Sequence, residues 1–430
     1  MDADAGTRVA ERLYYDSNEL KFSARVADIR LVATERREGG EREQLWQVAL
    51  DRTAFYPESG GQPWDTGVLI ATARSGAVLE VPVERVQEDE AGEVWHSVRK
   101  PLVEGTEVVG RVNAERRRDH TQQHSGQHLL SAVFLKQLGA GTVSFHLGAE
   151  SSTIDLALAE GMQGFTAEQL AAVEEEVNRL IYEDRPMTPR WHTREEAEAM
   201  LAEGRLRKLP ERAGPMRVVE MAGVEFNACG GTHVSSTGAI GGLLLRRLEK
   251  VKSGGRVEFV CGLRAVRVAR RDYAVLGVVA ASLSVGVLDM PGRIAALQEE
   301  TKAAGKRVRA LLEELADARA LALVGNVEAG EVVQAVFPDK PLDFAKRVAL
   351  MAAKAGHRAL VGVTDHAAGG VVLAVPPNAG VHAGNVLREA LAAEGARGGG
   401  TAELAQGVCG AEQVPDFVSM LVGKLPSGTA

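Results

Sequence analysis

From Ala114 to Leu138 nothing but Gly126 interrupts a helical sequence; Asn113 is placed to cap its start and Gly139 to stop it. Along that stretch His120, His124 and His128 recur at four-residue steps. Residues i and i+4 lie one above the other on a helix face, so either adjacent pair can grip one ion. The spacing does not choose between His120/His124 and His124/His128. About a hundred residues later comes Cys229-Gly230-Gly231-Thr232-His233, a thiolate and an imidazole four apart on a turn that two glycines allow to be tight. Two imidazoles from a helix with Cys and His from a distant turn make a tetrahedral N/S set that suits Zn²⁺. A chain that uses these residues together must fold so that the turn returns to the helix. One HxxxH alone is more often a solvated face, but two paired clusters are rare in a chain with 10 His and 3 Cys. No Glu follows the first His, which argues against a zincin protease, whose HExxH supplies a general base. Ligation needs Cys229 as thiolate and neutral imidazoles, so binding should weaken in acid.

The rest of the chain reads as an α+β protein in several parts. From Asn18 to about Arg111, period-2 apolar runs such as FSARVADIRLVAT and WQVALD, broken by Gly, Pro and Asp, predict a small antiparallel β-barrel over residues 1–112. Within it TAFYPESGGQPWDTG (53–67) is too rich in Gly and Pro for a regular element, and Phe55, Tyr56 and Trp64 are unusual for mere connection. An α+β domain over 113–265 follows. It holds the histidine helix, a hairpin over 143–158, a second helix from the capping box at Thr166 to about Glu183, and a short one over 194–201. Strands 243–251 and 256–262 flank a turn at Lys252-Ser253-Gly254-Gly255. Residues 266–323 read as a long helix or helical hairpin that connects domains, and 324–430 as an α/β domain ending in the glycine run Arg397-Gly398-Gly399-Gly400.

Composition excludes several classes. At 430 residues, with 45% hydrophobic and 25% charged, the chain is long enough for two to four domains and is not disordered, collagenous or membrane-embedded in pattern. No apolar run approaches ~18 residues, and the first residues lack a signal-peptide core. Three scattered cysteines make no disulfide framework, so a reducing cytoplasm is expected, with Cys261 and Cys409 as small buried hydrophobes. The net charge of −8 argues against indiscriminate nucleic-acid binding. Yet the window Arg246–Arg271 holds nine basic residues against Glu249 and Glu258, and all four Trp lie before residue 192.

HSGQHLL (124–130) with CGGTHV (229–234) resembles the zinc-binding editing domain of alanyl-tRNA synthetase and its freestanding relatives, the alanyl-tRNA editing proteins. TAFYPESGGQPWDTG resembles the glycine-containing motif of the barrel that precedes that domain, and GARGGGTAELAQG the family's C-terminal domain, called DHHA1. The resemblance implies one Zn²⁺ held by His124, His128, Cys229 and His233, with His120 a non-ligand. An intact synthetase would place aminoacylation and tRNA-recognition domains ahead of the barrel. About fifty residues precede TAFYPESGG here, so the expectation is a freestanding hydrolase that cannot activate an amino acid.

The implied reaction is deacylation of Ser-tRNA(Ala), Gly-tRNA(Ala) or both. The alternatives are editing of seryl-tRNA(Thr), or a tRNA-binding module that contains zinc without catalysis. A pocket for alanine rejects glycine or serine only about 10–200-fold, which is why a second site is needed. Ser144, His146, Asp155 and Thr232 are the candidate pocket residues. Arg116, Arg117, Arg118, Lys250, Lys252 and Arg256 are candidates for tRNA phosphates, and the aromatic loop at 55–64 for stacking on a terminal base. The implied partner is the acceptor end of tRNA(Ala), and the helical connector with the C-terminal domain makes a homodimer plausible.

Overall fold

The computed structural model describes residues 10–15, 19–36, 42–211, 214–252, 254–328, 330–365, 368–377, 379–393 and 395–425. Asn18 and Ser253, used above as boundary and turn residues, lie outside them. The chain divides into two compact units, Met1–Leu276 and Gly277–Ala430.

The first unit opens with a closed six-stranded barrel. Its order is Lys21–Arg36, Arg42–Leu50, Val94–Val98, Val78–Glu88, Gly67–Thr72 and Glu107–Val112, every pair antiparallel. Alternating residues point inward, so Phe22, Val26, Val48, Leu50, Leu69 and Val81 fill the interior. Register shifts at Val26/Asp28, Leu31/Ala33 and Val83/Arg85 are bulges that bend these strands. Phe55, from the glycine-containing loop, is buried in the same core.

Helix α1 (Ala114–Leu138) follows. Asn113 accepts from the Arg116 N–H as N-cap, and Gly139 closes the end. Its buried face, including Leu129, Leu130 and Phe134, packs in one core with a four-stranded sheet. That sheet is ordered Leu243–Val251, Gly254–Cys261, Ser152–Ala157, Thr142–Leu147. Helices α2 (Ala167–Tyr182) and α3 (Arg194–Ala202) each begin at a full capping box, Thr166/Gln169 and Thr193/Glu196. A three-stranded sheet, Met187–His192, Met216–Met221 and Glu225–Ala228, leads into the Cys229 turn. The predicted turn at 252–255 is shorter than expected, because pairing continues to Val251↔Gly254.

The helical stretch is divided: α4 spans Gly262–Ser282 and α5 spans Met290–Val324. The break coincides with Ser284 in the left-handed region (φ 56°) and with Pro291 in the first turn of α5. In the second unit a five-stranded sheet runs Val332–Pro338, Arg358–Asp365, Ala368–Ala374, Leu404–Gly410, Arg397–Gly400. It is packed with α6 (Leu342–Lys354), α7 (Ala383–Ala393) and α8 (Val414–Lys424). Only the first pair is parallel. The expected α/β domain is thus a mixed sheet: helix crossovers through α6 and α7 each join parallel strands, while hairpin returns join Arg358–Asp365 to Ala368–Ala374 and Arg397–Gly400 to Leu404–Gly410. The glycine run is an edge strand and not a loose loop; a side chain at Gly398 would overlap Leu391 of α7.

Candidate metal centre and adjoining pocket

The fold of the first unit returns the Cys229 turn to α1. Ligand atoms of His124, His128, Cys229 and His233 all lie within 4.8 Å of one another. The Cys229 sulfur is 3.4 Å from His124 Nε2 and 3.3 Å from His233 Nε2. Tetrahedral zinc with these ligands has edges of about 3.3–3.7 Å, so the spacing fits. The donor set also fits a cation, since His128 Nε2 is buried with no hydrogen-bond partner among the described residues. Burial alone would raise the Cys229 thiol, but His124 and His233 beside it hold it well below its ordinary value, in favour of the thiolate. Burial pushes His233 down to about 3, which keeps it neutral. These four residues could hold a metal ion, and zinc suits the set. His120, one turn earlier, is buried outside the group; burial and the nearby Arg116 push it down to about 4.

The imidazoles are oriented from behind. Gln62, fully buried in the barrel's glycine-containing loop, accepts from His124 Nδ1 at 2.7 Å. The amide oxygen only accepts, so Nδ1 carries the proton and Nε2 is left bare toward Cys229. The same oxygen accepts from the Thr232 N–H at 3.1 Å, and the Gln62 amide nitrogen donates to the Thr232 hydroxyl at 2.9 Å. Ser125 Oγ lies 3.3 Å from His233 Nδ1 and accepts from the Val234 N–H. Glu225 stands 3.8 Å from His128 Nδ1 and is held by Arg207 and Asn227. Arg217, buried, donates to the carbonyls of Cys229 and Gly231 at 2.9 Å each and fixes the turn. Glycine is required at 231, because a Cβ there would overlap the His124 ring. The sequence reading missed Gln62, Ser125, Arg217 and Glu225. Gln62 and Ser125 lie within quoted motifs, TAFYPESGGQPWDTG and HSGQHLL, whereas Arg217 and Glu225 do not.

A cavity of about 440 Å³ opens beside the group, lined by Tyr56 and Gly60 of the barrel loop, by Gln127, Ser131, Thr142 and Ser144, and by Arg207 and Lys208. Thr142 and Gln127 both donate to the Ser131 hydroxyl at 2.7 Å. Several expectations change here. Ser144 lines the cavity, but its hydroxyl donates to Asp155, whose carboxylate is gripped by Arg256 at 2.7 and 2.9 Å. Asp155 is therefore held low by Arg256, and neither is a free pocket or phosphate group. His146 is exposed and outside the lining. The Thr232 hydroxyl faces inward to Gln62 and Thr121, not the cavity.

The basic candidates are mostly engaged as well. Arg117 is buried against Asp65 and the Ala54 carbonyl, so it cannot meet a phosphate. Arg116 donates to the Trp64 carbonyl at 2.9 Å. In the basic window Arg246 pairs with Asp272, Arg247 with Glu249, Arg264 with Asp119 and Arg267 with Glu115. Lys250 and Lys252 are exposed, as is Arg118. Phe55 and Tyr56 are buried, and the Trp64 ring lies under the Arg85 and Arg116 guanidinium groups, so this loop offers no stacking platform. Cys261 is fully buried as expected, whereas Cys409 is only half-buried.

Fold and site together define a barrel joined to a histidine- and cysteine-lined pocket with the donor set of a metal centre. Residues 3–116 match the family described as tRNA synthetases class II (A), and 216–256 the threonyl and alanyl tRNA synthetase second additional domain. The chain is 35% identical over 330 residues to the alanyl-tRNA editing protein Aarsd1 of Bos taurus, covering 76% of this chain and 71% of that protein. The Mus musculus counterpart is 36% identical, with 69% of each covered. Against the alanine–tRNA ligase of Pyrococcus abyssi identity is 31% over 92% of this chain, which spans only 41% of the ligase. The C-Ala domain from Aquifex aeolicus alanyl-tRNA synthetase is 25% identical over 24% of this chain and 97% of that chain, with a TM-score of 0.22. The chain belongs to the family of alanyl-tRNA editing proteins. No single described helix is long and apolar enough to cross a membrane.

Proposed function

We infer that the protein hydrolyses the ester joining a wrong amino acid, serine or glycine, to the terminal adenosine of tRNA(Ala). The observation that carries this reading is the cavity of about 440 Å³ that opens directly on His124, His128 and Cys229, in a chain related to alanyl-tRNA editing proteins. The linked groups of Gln127, Ser131 and Thr142 line it and suit recognition of a hydroxyl. A site built around the serine hydroxyl leaves buried polar groups unpaired when alanine enters, a penalty worth roughly 10⁴-fold in favourable cases.

His124, His128, Cys229 and His233 would hold Zn²⁺. When bound, the ion supplies positive charge beside the ester, and four protein ligands make it a positioning centre more than a source of hydroxide. The chain's own residues do the rest. Gln62 and Ser125 fix two imidazoles, Arg217 fixes the turn, and the hydroxyl-lined wall orients the aminoacyl group. Because one matched family is described jointly for threonyl and alanyl synthetases, seryl-tRNA(Thr) is the second substrate to weigh. Hydrolysis of Ser-tRNA(Ala) is compared with that of Ser-tRNA(Thr) and Ala-tRNA(Ala). Faster loss of Ser-tRNA(Ala) than of both supports the reading. Equal or greater loss of Ser-tRNA(Thr) transfers it to the other system, and no loss of any leaves a binding module.

A further inference from the structure

Among the described residues, the irregular segment after α3 supplies the only Arg and Lys side chains lining the cavity, Arg207 and Lys208. Arg207 is anchored: it pairs with Glu225, whose side chain is 8% exposed and whose other oxygen accepts from Asn227. Burial lowers the Arg207 pKa, as expected of a cation partly stripped of water. Lys208 is exposed and makes no ion pair among the described residues. Most other arginines considered for nucleic acid above are already committed to carboxylates or carbonyls. A fixed guanidinium and a free ammonium thus share the wall of a cavity that His124, His128 and Cys229 also line.

We propose that Lys208 and Arg207 form a subsite for the phosphodiester immediately preceding the terminal nucleotide of an acceptor strand. The proposal rests on the editing reading for its ligand. A strand whose last sugar carries an ester at the metal-ligand group must leave the cavity along its backbone, so its last phosphate arrives at the wall while the ester sits within. Lys208 meets it as a mobile point charge, and Arg207 as a forked donor preorganised by Glu225.

The test is the salt dependence of binding for an uncharged RNA minihelix ending in CCA and for one lacking the terminal adenosine. On the full end, wild type should show a log Kd against log salt slope steeper by about 0.7 than Lys208→Ala, as for loss of one single-stranded phosphate contact. On the truncated end the two proteins should show the same slope. Arg207→Lys, which keeps a cation against Glu225, should weaken binding to the full end less than Lys208→Ala. Identical slopes for wild type and Lys208→Ala on the full end would overturn the subsite. This readout needs no hydrolysis. A protein that binds with the predicted slopes yet leaves Ser-tRNA(Ala) intact sinks the editing reading and leaves the phosphate contact standing.

Discussion

Gln62 and His124, sixty-two residues apart, are joined by a 2.7 Å hydrogen bond in which the amide oxygen of the barrel loop takes the imidazole Nδ1 proton. The barrel thereby sets the tautomer of a metal-ligand candidate in the neighbouring helix. Such outer partners typically contribute 10–100-fold in metal affinity. Gln62→Ala should weaken zinc by about that factor in chelator competition. Gln62→Glu, which keeps the acceptor but not the amide donor to the Thr232 hydroxyl, should lie between it and wild type. Unchanged affinity in Gln62→Ala removes this role.

Gly126 is the one residue that spoils the helix pattern of α1, and its reason is packing: a Cβ there would overlap the Cys261 sulfur. Alanine favours a helix over glycine by about 1 kcal/mol, yet Gly126→Ala should destabilise the protein by about 1–3 kcal/mol through overpacking. Combining it with Cys261→Ala should recover much of that loss. Urea unfolding of the two single variants and the double variant measures the coupling. Additive effects would contradict the contact.

Acid stability should bear the mark of His96. It is fully buried, accepts from the Thr53 hydroxyl at 2.8 Å and donates to the Val48 carbonyl at 2.9 Å, and burial pushes it down to about 4. The folded protein keeps it neutral while the unfolded chain takes up a proton below its ordinary 6.5. Its stability is therefore present above pH 6.5 and declines as pH falls toward 4, by about 3 kcal/mol in all. His96→Gln should be less stable than wild type at pH 7, with the gap narrowing by pH 5 in urea titrations. A gap that widens in acid contradicts this sign.

Along α5, Ile294, Leu297, Thr301, Ala304, Val308, Leu311 and Leu315 recur at alternating three- and four-residue steps, the spacing that a two-stranded coiled coil would use as its seam. Val308 and Leu311 are 55% and 64% exposed. The expected occupant is the same helix of a second copy. Wild type should sediment as a dimer and Leu311→Glu as a monomer. A monomeric wild type rules the seam out.

Much of this was legible because it is local. Asn113, Gly139 and the capping boxes at Thr166 and Thr193 declare helix ends by side-chain bonds within a few residues, and barrel alternation declares an inner face. The four-residue clusters also showed in sequence. Pairings between distant segments did not. Nothing near Arg117 or Arg264 in the chain announces Asp65 or Asp119, so these two arginines are structural ion pairs that the sequence does not distinguish from the exposed Arg118, Lys250 and Lys252. The alternation of helices and apolar strands near the C-terminus shows in the sequence, but the mixed order of the sheet does not, because apolar strands between helices look alike whether they return parallel or antiparallel.

The central claim is that one ion joins the helical histidine pair to the Cys229 turn. Zinc-edge X-ray absorption on the purified protein tests it most directly. The account predicts stoichiometric zinc with one sulfur near ~2.3 Å and three nitrogens near ~2.0 Å, the sulfur lost in Cys229→Ser. A shell of nitrogen and oxygen alone, or protein purified without zinc and unable to take it up, would contradict it.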